Sequence, residues 1–308
     1  MKLINKKYSP KGKIKTYFLG IKIKTKKFKY NENCIPKPDN KHLKLSVVIP
    51  VYNAFQDLKK LVSSIEKSKL SKDTEIIFLD DCSTDTNVYG YLKDICDKNE
   101  YILLRNSNNQ GFIKTCNKGI KHSKGDIVVL LNSDTMIPSN FEEKVLQCFK
   151  SDKNIAFASP IGSHTGWWNI PCNDYNFEKI AQIVSSSSAN KYPAFTPEGF
   201  CFCCRKKVLK KIGLLDEIYG KGYCEEDDLV MRAIIAGYRT VLIDNLYVYH
   251  KRHASFSKEG KQELFSNNRI IFEQRYGNLQ GIIRSKMNIK NYIKEISNNI
   301  QFIEDNNV

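Results

Sequence analysis

The sequence predicts an α/β fold built on a mixed, mostly parallel sheet flanked by helices. Two observations carry this. Short, wholly apolar runs recur, such as 127–131 (IVVLL) and the apolar parts of 45–53 (LSVVIPVYN) and 74–85 (TEIIFLDDCSTD). Each is too brief for a membrane span and apolar on both faces, as a strand covered on both sides must be. Between these runs lie stretches with helical periodicity, and strands alternating with helices indicate parallel βαβ units.

The elements follow in order. Residues 13–30 alternate Lys with apolar or aromatic residues around Gly20, which predicts a small hairpin. Residues 31–41 hold two prolines among polar residues and read as a linker. A buried strand is expected over 45–53, ended by Pro50. A helix over 54–68 places Leu58, Leu61, Val62 and Ile65 on one face. A second strand over 74–85 ends in Asp80 and Asp81. A helix over 89–98, a short strand over 101–105, the turn-rich NSNNQG and a helix over 112–122 lead to the strand 127–131. Further strands are expected over 155–161, 200–204, 240–243 and 247–249, with helices over 206–212 and 225–236. The organisation read from this is a basic extension and linker (1–43), an α/β domain (44–256) and a helical C-terminal tail (257–308).

Composition narrows the class. The 308 residues can bury a sizeable core, and no run approaches the roughly eighteen apolar residues of a membrane helix. Residues 1–44 hold fourteen Lys against Glu32 and Asp39, a local charge of +12 out of the total of +16. Such an arm attracts polyanions, either nucleic acid or an anionic membrane surface. No apolar signal segment follows the basic start, so a cytoplasmic location is expected. The ten cysteines include Cys201, Cys203 and Cys204 in an apolar strand, where thiols pack as small hydrophobes. No second Cys/His pair at ligand spacing accompanies them, which argues against a zinc site.

The chemistry gathers at strand ends. Ligands of open α/β sheets bind beyond the carboxyl ends of the strands, and Asp80, Asp81 and Asp134 all stand there. The dinucleotide fingerprint GxGxxG does not follow the first strand, and GxxxxGK[ST] occurs nowhere. A nucleotide held without a glycine cradle needs another partner for its phosphates. A divalent cation such as Mg2+ or Mn2+, bound by one or two carboxylates, would serve. Glu225, Glu226, Asp227 and Asp228 head a helix, and helical spacing spreads them over several faces. One can therefore face a pocket as a general base. His250 follows a strand directly and is a candidate metal ligand.

The segments LSVVIPVYN, EIIFLDDCSTD, NQGFIKTCNKGI, GDIVVLLNSDT, EGFCFCCRKKVLKKIGLLDE, GYCEEDDLVMRAIIAGYR and YVYHKRHASF, in this order, resemble the family 2 glycosyltransferases. The resemblance spans 44–256. It implies a Rossmann-like GT-A fold and an inverting transferase that moves a sugar from a nucleotide-diphosphate sugar to a hydroxyl of a glycan or lipid-linked glycan. The bacterial cell-surface polysaccharide enzymes (O-antigen, capsule, lipooligosaccharide) are the nearest type. By position, Pro50, Tyr52 and Asp80 or Asp81 would line base and ribose, and Gly111 and Asn117 would border the nucleotide pocket. Asn132-Ser133-Asp134 occupies the family's DxD motif with Asn in its first place, so metal binding would rest on Asp134, completed by His250. Glu226 matches the catalytic acid, with Glu225 and Asp227 as adjacent alternatives. Trp167 and Trp168, in a polar loop, could stack on acceptor sugars. The basic residues 1–30 suggest docking at the inner face of the membrane. The rival readings are a nucleic-acid-binding protein using that arm and a nucleotidyltransferase on a similar sheet. Against the first, the acids lie where phosphates would go and no nucleic-acid module is present, so no nucleic-acid partner is expected.

Overall fold

The computed structural model describes residues 4–8, 13–18, 21–27, 35–68, 70–163, 170, 172, 176–251, 258–287 and 298. The basic extension forms a three-stranded antiparallel sheet of β1 (Ile4–Tyr8), β2 (Lys13–Phe18) and β3 (Ile21–Lys27), in that order. The expected hairpin is the β2–β3 pair, with Phe18 opposite Ile21. β1 is an additional strand.

The rest of the chain runs through β4 (Leu45–Val51), α1 (Phe55–Lys67), β5 (Glu75–Asp80), α2 (Thr86–Asn99), β6 (Ile102–Arg105) and α3 (Phe112–His122). It continues with β7 (Ile127–Leu131), β8 (Thr135–Met136), α4 (Phe141–Ser151), β9 (Ile155–Gly162), α5 (Phe177–Ser187) and β10 (Cys201–Arg205). Then come α6 (Lys206–Ile212), α7 (Glu225–Ile235), β11 (Arg239–His250), α8 (Lys258–Tyr276) and α9 (Leu279–Arg284). The main sheet has the order β6-β5-β4-β7-β10-β9-β11-β8. β6, β5, β4 and β7 are parallel neighbours. β10 runs antiparallel to both β7 and β9, and β9 and β11 are parallel.

The period of two in each strand splits its residues between two cores. Val47, Ile49, Ile76, Phe78, Val129 and Leu131 join one core, which also takes residues of α1, α2 and α4. Val48, Ile77, Val128 and Leu130 join the other, with residues of α3, α6 and α7. Phe272, Tyr276, Leu279 and Ile283 of α8 and α9 are buried in this second core. The C-terminal helices are thus packed into the sheet domain, and β1 runs beside α8.

Strand order places the ligand crevice. β5 and β6 lie on one side of β4 and β7 on the other, so the order reverses between β4 and β7, and a crevice opens at their carboxyl ends. Pro50 does not end β4, which runs to Val51. β4 pairs with β7 only over Leu45 to Val48, so the missing Pro50 N–H breaks no bond to β7. The two strands expected over 240–249 are one strand, β11, irregular between Ile243 and Tyr247. There Asp244 turns inward to accept the N–H groups of Lys191 and Tyr192.

Candidate active site

Asp134 follows β7, and His250 ends β11. The two-residue β8 brings them together by pairing Thr135 with His250 and Met136 with Tyr249. His250 Nε2 lies 3.5 Å from Asp134 Oδ1. The arrangement is braced: Lys251 N–H donates to the Asp134 carbonyl (3.0 Å). Ser163 Oγ accepts from His250 N–H (2.8 Å) and donates to its carbonyl (3.0 Å). The Phe200 ring stacks on the imidazole, with centroids 5.0 Å apart. Among the described residues no three His, Cys, Asp or Glu side chains cluster as a metal cage. One carboxylate oxygen and one imidazole nitrogen form a partial donor set. That suits a cation which takes its remaining ligands from substrate phosphates and water.

The acids heading α7 differ sharply from one another. Asp228 is fully buried and bound by Arg232, Arg275 and Tyr276. Asp227 Oδ1 accepts from Arg284 Nη2 (3.0 Å) and Gln280 Nε2, so it anchors α9. Glu225 is buried and hydrogen-bonded to Glu226. Burial and the Glu226 charge push its carboxyl well above the usual carboxylate range. Glu226 stands partly exposed. Burial raises its carboxyl too, and the hydrogen bond with Glu225 pulls it back.

Gly199 and Phe200, not among the expected site residues, join these two groups. A Cβ on Gly199 would fall 1.9 Å from Glu226 Oε1, so the carboxylate rests on the space left by the absent side chain. Phe200, next in the chain, covers His250 and accepts the Asn132 N–H at its carbonyl (2.9 Å). The only sequence signal was the EGF tripeptide ahead of the Cys-rich strand.

The remaining expected residues form walls. Asp80 is fully buried; Oδ1 accepts Ser83 N–H (2.9 Å) and Arg105 Nε lies 3.1 Å from Oδ2. Asp81 accepts from Asn106 Nδ2 (2.7 Å), Gln110 N–H (2.8 Å) and Gly111 N–H (2.8 Å). Both side chains shape loops at the carboxyl end of β5, Asp80 through Ser83 and Asp81 through residues 106–111. Asn117 is likewise engaged: Nδ2 donates to the Leu215 carbonyl and Oδ1 accepts its N–H (2.9 and 3.1 Å). Asn53, an organiser not anticipated, accepts Thr84 N–H and Asp85 N–H and so ties the loop after β4 to the loop after β5. Pro50, Tyr52, Asn132 and Ser133 lie part-exposed at the carboxyl ends of β4 and β7. Gly111, at φ 81°, opens α3. Trp167 and Trp168 lie outside the described residues.

A parallel block with a reversal of strand order, continued by the antiparallel β10, is the architecture of the GT-A fold. The family model for glycosyl transferase family 2 matches residues 46–213, and the chain belongs to that family. It is 27% identical over 231 residues to a dolichol-phosphate mannosyltransferase of Pyrococcus furiosus, covering 75% of this chain and 63% of that protein. It is 25% identical over 228 residues to the glycosyltransferase GlyG of Streptococcus pneumoniae, covering 70% and 73%. In fold it resembles a mannosyltransferase from Pyrobaculum calidifontis in complex with GDP-Man and Mn2+. The TM-score is 0.53 at 17% identity, over 72% of this chain and 61% of that one. The chain thus spans under two thirds of the archaeal relatives' length. Glu226 and His250 lie beyond the segment matched by the family model.

Proposed function

We propose that this chain is an inverting glycosyltransferase that moves a sugar from a nucleotide-diphosphate sugar to a hydroxyl of a glycan or glycolipid, in cell-surface polysaccharide synthesis. The observation that carries the reading is the Gly199-Phe200 dipeptide, which touches Glu226 on one side and the Asp134–His250 pair on the other. Family membership supports sugar transfer, and the resembling archaeal structure, complexed with GDP-Man and Mn2+, supports a nucleotide-sugar donor and a divalent metal.

In this mechanism Asp134 and His250 are the residues that would hold a divalent cation. When bound, it offsets the charge gathering on the leaving diphosphate as a Lewis acid. Asn132 and Ser133 border the same crevice, with Pro50 near the carboxyl end of β4 and Tyr52 just after it. Asp80 and Asp81 serve the nucleotide by holding the loops that wall it. Glu226 accepts the proton of the acceptor hydroxyl as its oxygen bonds to the anomeric carbon. The bond from that carbon to the diphosphate oxygen breaks, and its electron pair leaves with the diphosphate. A single displacement with one base inverts the anomeric centre, and general-base assistance is worth about 10²–10⁴-fold. Of the three neighbouring acids, only Glu226 is neither sealed in the core nor tied to an arginine.

The test is a panel of UDP- and GDP-sugars assayed for transfer and hydrolysis with Mg2+, with Mn2+ and after chelation. Turnover is expected to vanish on chelation, and Asp134→Ala is expected to weaken Mn2+-dependent binding of the donor nucleotide at least tenfold. Unchanged affinity in that variant would remove the metal role from Asp134.

A further inference from the structure

The loop that delivers the acids is bent against its residues' preferences. Gly220 (φ 66°), Gly222 (φ 147°), Tyr223 (φ 69°) and Cys224 (φ 70°) all have positive φ, immediately ahead of Glu225. Glycine tolerates this, but Tyr223 and Cys224 do so only if the surroundings hold them there. Asn268 of α8 does the holding. Its Nδ2 donates to the carbonyls of Tyr219 (2.8 Å), Gly222 (2.6 Å) and Tyr223 (3.1 Å). Asn268 is itself buried, at 4% exposure, while its neighbour Asn267 is exposed. Phe265, one turn earlier, meets the Tyr223 ring edge-on, with centroids 6.2 Å apart.

The loop reaches both halves of the crevice. At one end it starts α7 and so sets where Glu226 meets Gly199. In its middle, Lys221 lies so close to the start of α3 that a Cβ on Gly111 would stand 3.3 Å from Lys221 Cα. Gly111 is in turn held by Asp81. Asn268 is not what fastens α8 to the molecule. Phe272 and Tyr276 bury that helix, and Arg275 pairs with Asp216 and Asp228 at 2.8 Å each.

We propose that Asn268 is a positioning residue of the transfer reaction, holding the 219–223 loop in the bent form that carries Glu226 to its place over Gly199. The inference rests on Glu226 being the base. It assigns the C-terminal helix a larger part in turnover than in nucleotide binding, because the bonds to Gly222 and Tyr223 lead directly into α7, whereas the contact of Lys221 with Gly111 lies earlier in the loop.

The test compares full-length wild type, Asn268→Leu, Asn268→Ser, Glu226→Gln and the exposed control Asn267→Ala. UDP-glucose, UDP-N-acetylglucosamine and GDP-mannose serve as donors, and UDP and GDP with Mn2+ as binding probes. Asn268→Leu keeps the branching and the number of side-chain heavy atoms but has no donor. It is expected to lower kcat at least tenfold, with donor KM and nucleotide affinity within about threefold of wild type. Asn268→Ser, keeping one donor, is expected to recover part of kcat, and Asn267→Ala to match wild type. If Asn268→Leu does not fold, the serine variant is read by the same split. Unchanged kcat in a folded Asn268 variant overturns the proposal. So does a parallel fall of kcat, nucleotide affinity and melting temperature, which would mark a general structural role. Full transfer by Glu226→Gln would instead refute the base itself. Loss in Glu226→Gln with wild-type kcat in Asn268→Leu refutes the loop inference alone.

Discussion

Glu225 and Glu226 are adjacent, yet their surroundings set different protonation. Glu225 has its carboxyl in the core, where it stays neutral well above the usual range, while Glu226 holds the outward position. The sign of the linkage follows. An unfolded Glu titrates near about 4.3, so above that pH the folded chain keeps a proton that the unfolded chain releases. Stability from the neutral carboxyl is complete below the unfolded value and is lost as pH rises through the folded one. Glu225→Gln keeps a neutral donor at every pH. Its melting temperature is expected to match wild type near pH 4 and to exceed it increasingly up to pH 8. A constant difference across that range would show that Glu225 is not held protonated. The strand-end positions of Asp134 and His250 were legible in the sequence from residue type and pattern, and the two side chains meet there at 3.5 Å. Which of Glu225, Glu226 and Asp227 is available was not legible. That depends on Arg284 and Gln280, more than fifty residues away in the chain.

At the scale of elements, α3, α6 and β7 fall where the sequence places them, since each has an uninterrupted pattern closed by a clear stop. β8 was not legible: two residues carry no periodicity, yet β8 pairs the Asp134 segment with the end of β11. The antiparallel direction of β10 is equally a matter of long-range pairing. The approach of Gly199, just before β10, to the start of α7 was hidden for the same reason. It supports a direct test. Gly199→Ala places a methyl where Glu226 Oε1 lies, and the end of a flexible side chain can move aside. The variant is therefore expected to fold and to bind nucleotide as wild type does, with turnover reduced at least tenfold by the displaced base. Wild-type turnover would mean that the carboxylate does not work from that position.

Across the whole molecule, charge and packing divide differently from the sequence-drawn boundaries. The basic extension forms its own sheet, whereas the C-terminal helices share the core and hold Asp227 and Asp228. Among the described residues no helix is long and apolar enough to cross a membrane. We propose that the extension docks on anionic lipid, where each lysine near the surface contributes about 1 kcal/mol. Replacing Lys13, Lys15, Lys22, Lys24, Lys26 and Lys27 by Gln is expected to abolish sedimentation with phosphatidylglycerol vesicles at physiological salt. Undiminished sedimentation would refute the docking role.

We propose Glu226 as the base of a sugar transfer supported by the Asp134–His250 pair. The most direct test is the turnover of Glu226→Gln beside its nucleotide affinity, with a donor that the wild type uses. Transfer is expected to fall by about 10²–10⁴-fold while Mn2+-dependent nucleotide binding stays at the wild-type level. Near-normal transfer by Glu226→Gln would contradict it.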